Sequence, residues 1–301
     1  MPVTSAQWAE ALAPGIREFF YVGYNGVPAL APQLFNVQTS DSAEEFFHSF
    51  GSVSPDAWDL YEQSGVVPKV SFDKGYKSTF THEEFALEMD VQRKFIDDNK
   101  YANVLDIATQ LGRSAALKRE QDAANVFNNA DQSTPVGGDA VGLCNASHPA
   151  SPTKAATVQD NVSSLTLSAT NVETVRQAMM AVTDDTNQIV GVMPDLLLVP
   201  TALENDAKII TQTEGVVGKA DNDINPQNGR FRYLVWPRLA SSTTWFMIDS
   251  GLMKQSLFWF DRIPPGVKLK EGDKTLFSTW IGYMRYSYGW RDWRWIHQGN
   301  A

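Results

Sequence analysis

The pattern of apolar and polar positions divides the chain into unlike stretches. The first fifty residues are mixed. A short amphipathic helix is predicted over residues 5–12, capped by Thr4 or Ser5. Pro14, Gly15, Gly23, Gly26, Pro28 and Pro32 then predict an irregular path. In "SAEEFFHSF", Ser42 is followed three residues on by Glu45, a capping-box spacing that predicts a helix. Residues 51–90 read as extended. Val70, Phe72, Tyr76, Thr79 and Phe80 are strand formers, and Asp73-Lys74-Gly75 between them is turn chemistry. The expectation is a long β-hairpin with polar positions on both faces. A lone hairpin is only marginally stable, so this one needs a neighbour to lie on.

From Asp97-Asp98 to Asn129 there is no proline and only one glycine, Gly112. Val104, Ala108, Leu111 and Ala115 recur at helical spacing, with charged and amide residues opposite. Asp97-Asp98 read as the helix start, where acidic side chains favour the dipole. About 30 residues at 1.5 Å each give a strut of roughly 45 Å. A long loop rich in Gly, Pro, Ser, Asn and Asp follows and marks a boundary. Beyond it the elements alternate: a helix over 170–183, a strand over 195–200, and a helix in "TALENDAKIITQ" with Thr201 and Glu204 at capping-box spacing. Strands are predicted in "YLVWPRL" and "TTWFMID", and the last 45 residues are strand-rich and aromatic. This is an α+β chain with a central sheet.

Composition narrows the function. The 301 residues are 43% apolar and 20% charged, which suits a folded chain with a sizeable core. Four of nine tryptophans, Trp280, Trp290, Trp293 and Trp295, fall near the C-terminus and predict dense packing or interface there. The net charge of −10 argues against sequence-independent nucleic-acid binding, which relies on neutralising phosphates. A local basic surface would have to come from residues such as Lys118, Arg119, Arg285, Arg291 and Arg294. A single cysteine excludes an intramolecular disulfide. The N-terminus lacks the basic start and apolar run of a signal peptide, and no run of 18 apolar residues predicts a membrane span. A soluble protein of a reducing compartment is expected.

Candidate chemistry is sparse. Cys144 and His148 in "CNASHPA" could be a nucleophile and base, but a catalytic thiol needs an electropositive setting that adjacency does not supply. Asn145-Ala146-Ser147 is a glycosylation sequon without a secretory route. Asp221, Asp223 and Asn225 match the start of a calcium loop, but Pro226 and Arg232 stand where glycine and glutamate are required. "THEEF" around His82 lacks the second histidine of a zinc helix. No active site, cofactor site or metal site is predicted. What stands out is shape: projections that suit gripping neighbours.

The order of these segments resembles the phage major capsid proteins of the Hong Kong 97 fold, and among them the Mu-like major head subunit group. "VPKVSFDKGYKSTFTHEEFALEMDVQRKFIDDNKY", "GLCNASHPA", "PDLLLVPTALENDAKII", "NPQNGRFRYLVWPRL" and "GYMRYSYGWRDWRW" carry the resemblance, which spans nearly the whole chain. Each is a weak motif alone; their order and spacing make the match. The resemblance implies an N-arm over 1–40 and an E-loop hairpin over 51–86. It implies a P-domain over 41–50, 87–130 (with the long spine helix) and 255–285. The A-domain would be 131–254 and 286–301. Copies would assemble as hexamers and pentamers into an icosahedral shell around double-stranded DNA, in the virion, built in the host cytoplasm. A portal and a decoration protein are further implied partners, and no membrane or enzymatic activity is implied.

Closed shells need contacts between different patches of each copy. Trp58, Tyr61, Val66, Val67, Val70 and Phe72 are the expected inter-subunit contacts of the E-loop, with core packing the competing expectation for Trp58 and Phe72. An acidic inner surface would keep the shell from gripping its genome. Some relatives begin with a scaffolding segment; this chain opens at the N-arm, which predicts a separate scaffolding protein. Lys69, Lys74 and Lys77 lie in the E-loop, but no partner motif matches, so no covalent cross-link is expected. The alternatives are an encapsulin-like nanocompartment shell and a Cys144/His148 hydrolase.

Overall fold

The computed structural model describes residues 5–58, 65, 67, 69–70, 72–92, 94–98, 100–133, 137–215, 224–270 and 277–300. Its strands in chain order are β1 (Asn36–Thr39), β2 (Glu44–Phe50), β3 (Lys74–Thr81), β4 (Glu83–Gln92), β5 (His148–Pro149), β6 (Val158–Gln159), β7 (Val162–Ser163), β8 (Leu196–Val199), β9 (Arg232–Val235), β10 (Trp245–Ile248), β11 (Leu257–Leu269), β12 (Phe277–Trp290) and β13 (Ile296–Gly299). One sheet has the order β1-β11-β12-β4; another has the order β7-β13-β10-β8-β9. β2 and β3 form a separate two-stranded ribbon.

The predicted strut is a helix over Tyr101–Asn128. It joins two cores. Its first half places Val104, Ala108 and Leu111 against Met89, Val91 and Trp280 of the four-stranded sheet. Its second half sends Ala123, Val126 and Phe127 into a larger core with Trp236, Trp245, Phe246 and Trp295. Phe127 meets the rings of Trp236 and Phe246 edge-on, each at 5.6 Å. The late tryptophans therefore do pack, and they divide between the cores: Trp280 in one, Trp290, Trp293 and Trp295 in the other.

Several local expectations are corrected. The N-terminal helix runs from Ser5 to Asn25, straight through Pro14. An interior proline removes a backbone hydrogen bond and costs about 3 kcal/mol. Burial of Ile16 and Phe20 against the long helix opposes that cost. The two helices cross backbone to backbone, where Gly112 and Gly23 leave room. A Cβ on Gly112 would meet the Phe20 carbonyl oxygen at 1.9 Å, and one on Gly23 would meet that of Thr109 at 1.9 Å. Gly23, which predicted irregularity, and Gly112, the lone glycine of the strut, instead permit close packing. Asp97 closes a short helix (Lys94–Asp97), and the long helix starts after Lys100.

"SAEEFFHSF" is strand β2, not helix. Phe47 stacks on Phe258 at 5.0 Å and meets Phe80 edge-on at 5.8 Å, so tertiary packing overrides the capping spacing. The Ser40 hydroxyl, not that of Ser42, engages Glu45. β3 pairs with β2 and not with the segment holding Val70 and Phe72. Gly75 is thus no turn residue: it lets β3 approach the Ser49 backbone, whose oxygen would lie 2.6 Å from a Cβ there. The ribbon is the base of the hairpin, and the chain between Phe50 and Lys74 is its end. Helix Ala169–Met180, capped by Ser168, and strands β8 and β10 fall as predicted. The helix Glu204–Gln212 follows a 3-10 turn, and Thr201 makes no capping bond.

Candidate interaction surface

The ribbon is rooted by an aromatic cluster. Phe80, Phe258 and Phe260 are buried together, with Phe47 packed on them. Alternation along β2 sends Phe46, His48 and Phe50 to the opposite, open face. Phe46 touches His48 edge-on, and the Lys77 ammonium lies 4.9 Å over the Phe46 ring. Phe50 is 72% exposed. The loop beyond the ribbon closes at its neck, where the Gly51 amide donates to the Asp73 carbonyl. The Ser52 amide donates to Asp185, which ties this neck to the turn after the Ala169–Met180 helix. Ser54 caps a 3-10 turn over Pro55–Ala57.

Of the six predicted contact residues, four are described, and all four are exposed: Trp58 (87%), Val67 (68%), Val70 and Phe72 (66%). Core packing of Trp58 and Phe72 is thereby excluded within one subunit. Tyr61 and Val66 lie outside the described residues. The sequence reading missed Phe46 and Phe50, because a helix was expected where β2 runs. No two-residue alternation of polar and apolar positions runs through Glu-Glu-Phe-Phe-His-Ser-Phe, so only the pairing with β3 reveals them. The exposed aromatic and aliphatic side chains thus gather on the ribbon's open face and the chain beyond it.

The other candidates are structural. Cys144 is buried in the larger core, and burial, with the nearby Asp131 charge, pushes its thiol pKa well up. His148 binds Asp139 through Nδ1 (2.7 Å) and Asn161 Oδ1 through Nε2 (3.1 Å), and stacks on Trp293 at 4.2 Å. Both ring nitrogens are engaged, and neither contacts Cys144. No dyad forms. Asp221 and Asp223 lie outside the described residues, while Asn225 donates to the Ile210 carbonyl (2.9 Å) and holds a turn. Among the described residues no cluster of His, Cys, Asp or Glu could hold a metal ion.

Four of the five basic residues named for a local positive surface face carboxylates: Lys118 with Asp122, Arg119 with Asp261, Arg285 with Glu84 and Arg294 with Asp292. Their role is cohesion. Arg119 reaches Asp261 through two parallel bonds of 2.6 and 3.0 Å while lying 4.8 Å over the Trp259 ring. The Tyr286 hydroxyl donates to Asp122 (2.6 Å), and burial followed by that carboxylate raises its pKa far above the usual phenol value. Glu120 accepts the Ala31 amide (3.0 Å). One face of the long helix thus grips both the four-stranded sheet and the N-terminal segment.

A family model described as "Phage capsid protein" matches residues 75–298. The chain belongs to the phage capsid protein family. Solved structures agree on the fold. The capsid protein of the cyanophage P-SCSP1u aligns with a TM-score of 0.58 at 10% identity, over 91% of this chain and 88% of that one. The capsid protein of bacteriophage JBD30 gives 0.56 at 16% identity, over 71% and 91%. The virus-like particle protein of Pyrococcus furiosus gives 0.52 at 9% identity, over 95% and 97%. No curated protein matches by sequence. The protein is a phage major capsid protein of the Hong Kong 97 type: it self-assembles, resides in the virion and is structural, not enzymatic. The family match favours it over the nanocompartment alternative. No described helix is long and apolar enough to cross a membrane.

Proposed function

We propose that residues 51–86, rooted by the pairing of β3 with β2, are the arm by which each capsid subunit holds the next in a hexamer or pentamer. In this reading the shell is icosahedral and encloses double-stranded DNA. Residues 1–40 serve as the N-arm. The P-domain comprises 41–50 (whose strand β2 is the base on which the arm is rooted), 87–130 and 255–285, and the A-domain comprises 131–254 and 286–301. Trp58, Val67, Val70 and Phe72 make the contacts, with Phe46 and Phe50 extending them toward the base. The observation that carries the reading is their exposure on a projection rooted by buried phenylalanines. A separate scaffolding protein, a portal and a decoration protein are the partners it implies, and the shared segments favour the Mu-like head group.

Fully burying a large apolar side chain is worth roughly 2–3 kcal/mol. Losing one such contact would weaken subunit association roughly 30- to 150-fold. Trp58→Ala with Phe72→Ala is expected to give folded subunits, by circular dichroism, that yield few shells in electron microscopy and sedimentation. Wild-type yield and stability of shells would refute the assignment.

A further inference from the structure

β3 and β4 are one continuous run of strand except at His82. This residue stands where the chain leaves the ribbon and enters the four-stranded sheet. The residue is 5% exposed and its ring is bonded at both nitrogens. Nε2 lies 3.1 Å from the Ser40 hydroxyl, just past β1, and Nδ1 lies 2.9 Å from the Ser287 hydroxyl on β12. Ser40 donates onward to Glu45 of β2 (2.6 Å), and its backbone amide donates to Asp261 of β11. One imidazole therefore pins together the N-terminal strand, both ribbon strands and the body of the sheet.

The network fixes the tautomer. Ser40 spends its proton on Glu45, so its oxygen accepts from His82 Nε2–H. In the neutral ring Nδ1 then accepts from the Ser287 hydroxyl; a second proton would turn Nδ1 into a donor, reverse that bond and place a charge in the buried joint. The charges around it do not invite a second proton. Arg285 on β12 and Arg262 on β11 are both repulsive, while Glu45 on β2 is the attractive group and is already occupied by Ser40. Arg285 and Arg262 are in turn answered by Glu84 on β4 and by Asp41 between β1 and β2.

We propose that His82 is a pH-sensitive latch at the root of the arm: neutral, it locks the ribbon's angle to the four-stranded sheet, and protonated, it frees the ribbon to swing. The consequence for the shell rests on the reading of the ribbon as the inter-subunit arm, but the latch itself belongs to the single subunit. Burial, followed by the repulsion of Arg285, holds the His82 pKa below its ordinary 6.5. The sign follows. The latched state is fully favoured above pH 6.5 and loses ground as pH falls from there through the lowered latched pKa, because the open ring takes up its proton first. At pH 5.5 the opening equilibrium rises by up to about tenfold.

Hydrogen exchange on the full-length, unassembled protein tests this, with rates corrected for intrinsic pH dependence and the helix Tyr101–Asn128 as internal reference. Between pH 7.5 and 5.5, exchange over residues 44–50 and 74–81 is expected to rise by up to about tenfold relative to that helix. In His82→Gln, whose amide can bond both serines and cannot titrate, the rise is expected to vanish. An equal acid response in both proteins, or none in the wild type, overturns the latch. Should His82→Gln already be open at neutral pH, direct titration of the wild-type ring decides: a midpoint at or above 6.5, or one that does not coincide with the exchange midpoint, overturns it. Failure of the arm reading shows separately, as normal shells from the Trp58 and Phe72 variants.

Discussion

Replacing Asp261 by alanine strikes the joint between the long helix and the four-stranded sheet. The Arg119 and Asp261 side chains are only 13% and 16% exposed. Without the carboxylate, the guanidinium keeps its place over Trp259 but loses both hydrogen bonds, and the Trp259 indole N–H loses its 2.9 Å acceptor. Breaking a buried pair from one side costs about 3–5 kcal/mol, because a desolvated charge is left unanswered. Natural domains have roughly 5–15 kcal/mol to lose, so this is a large fraction. Arg119→Met should cost a similar amount by stranding Asp261. The double variant Arg119→Met with Asp261→Ala removes both charges together, and its cost should fall short of the sum of the two single costs by about 1–3 kcal/mol. Urea unfolding of unassembled subunits, followed by tryptophan fluorescence, measures all three. Single-variant costs below about 1 kcal/mol would mean that the pair behaves like a solvated surface bridge. Strict additivity would mean that the two residues do not act as a unit. Either result refutes the reasoning.

Two further outcomes are expected. Gly112→Ala pushes a methyl group into the Phe20 carbonyl and must force the paired helices away from each other, so thermal unfolding should register a loss of at least about 1–3 kcal/mol, whereas alanine elsewhere on a helix usually stabilises. His297, buried on β13, has its pKa lowered from 6.5 to about 4 by burial, so the fold prefers the neutral ring. Stability it contributes is intact above pH 6.5 and is lost as pH falls toward 4, by up to about 3 kcal/mol, and His297→Gln should flatten that stretch of a urea-midpoint-against-pH curve.

The segments that could be read directly were those whose surroundings repeat with their own period. Val104, Ala108 and Leu111 meet a flat apolar wall along the first half of the long helix, so the stripe predicted the element and its buried face. Leu196–Val199 is apolar throughout and buried on both faces, as an interior strand of its sheet. The ordered run of segments carried the family resemblance. For Cys144 and His148, adjacency without an electropositive setting already argued against a catalytic thiol, and the structure keeps the two side chains apart.

Strand partners were not legible, because pairing is settled by residues remote in the chain. "SAEEFFHSF" carries a helical capping spacing and no strand alternation, and the choice fell to Phe258 and Phe260 of β11, on which Phe47 stacks with the segment extended. The same choice turned Phe46 and Phe50 outward onto the candidate interaction surface and moved the hairpin's turn away from Gly75. Gly23 and Gly112 carry opposite meanings in sequence and in space: locally each weakens a helix, while together they let two helices touch at the backbone, which outweighs the local cost. His82 alone reads as one histidine in an acidic stretch. Only the fold brings Ser40 and Ser287 to its two nitrogens. The sequence by itself determined which segments are buried and what kind of assembly they serve. The tertiary structure decided which surfaces remain for the neighbour, because exposure is what is left once remote contacts have been made.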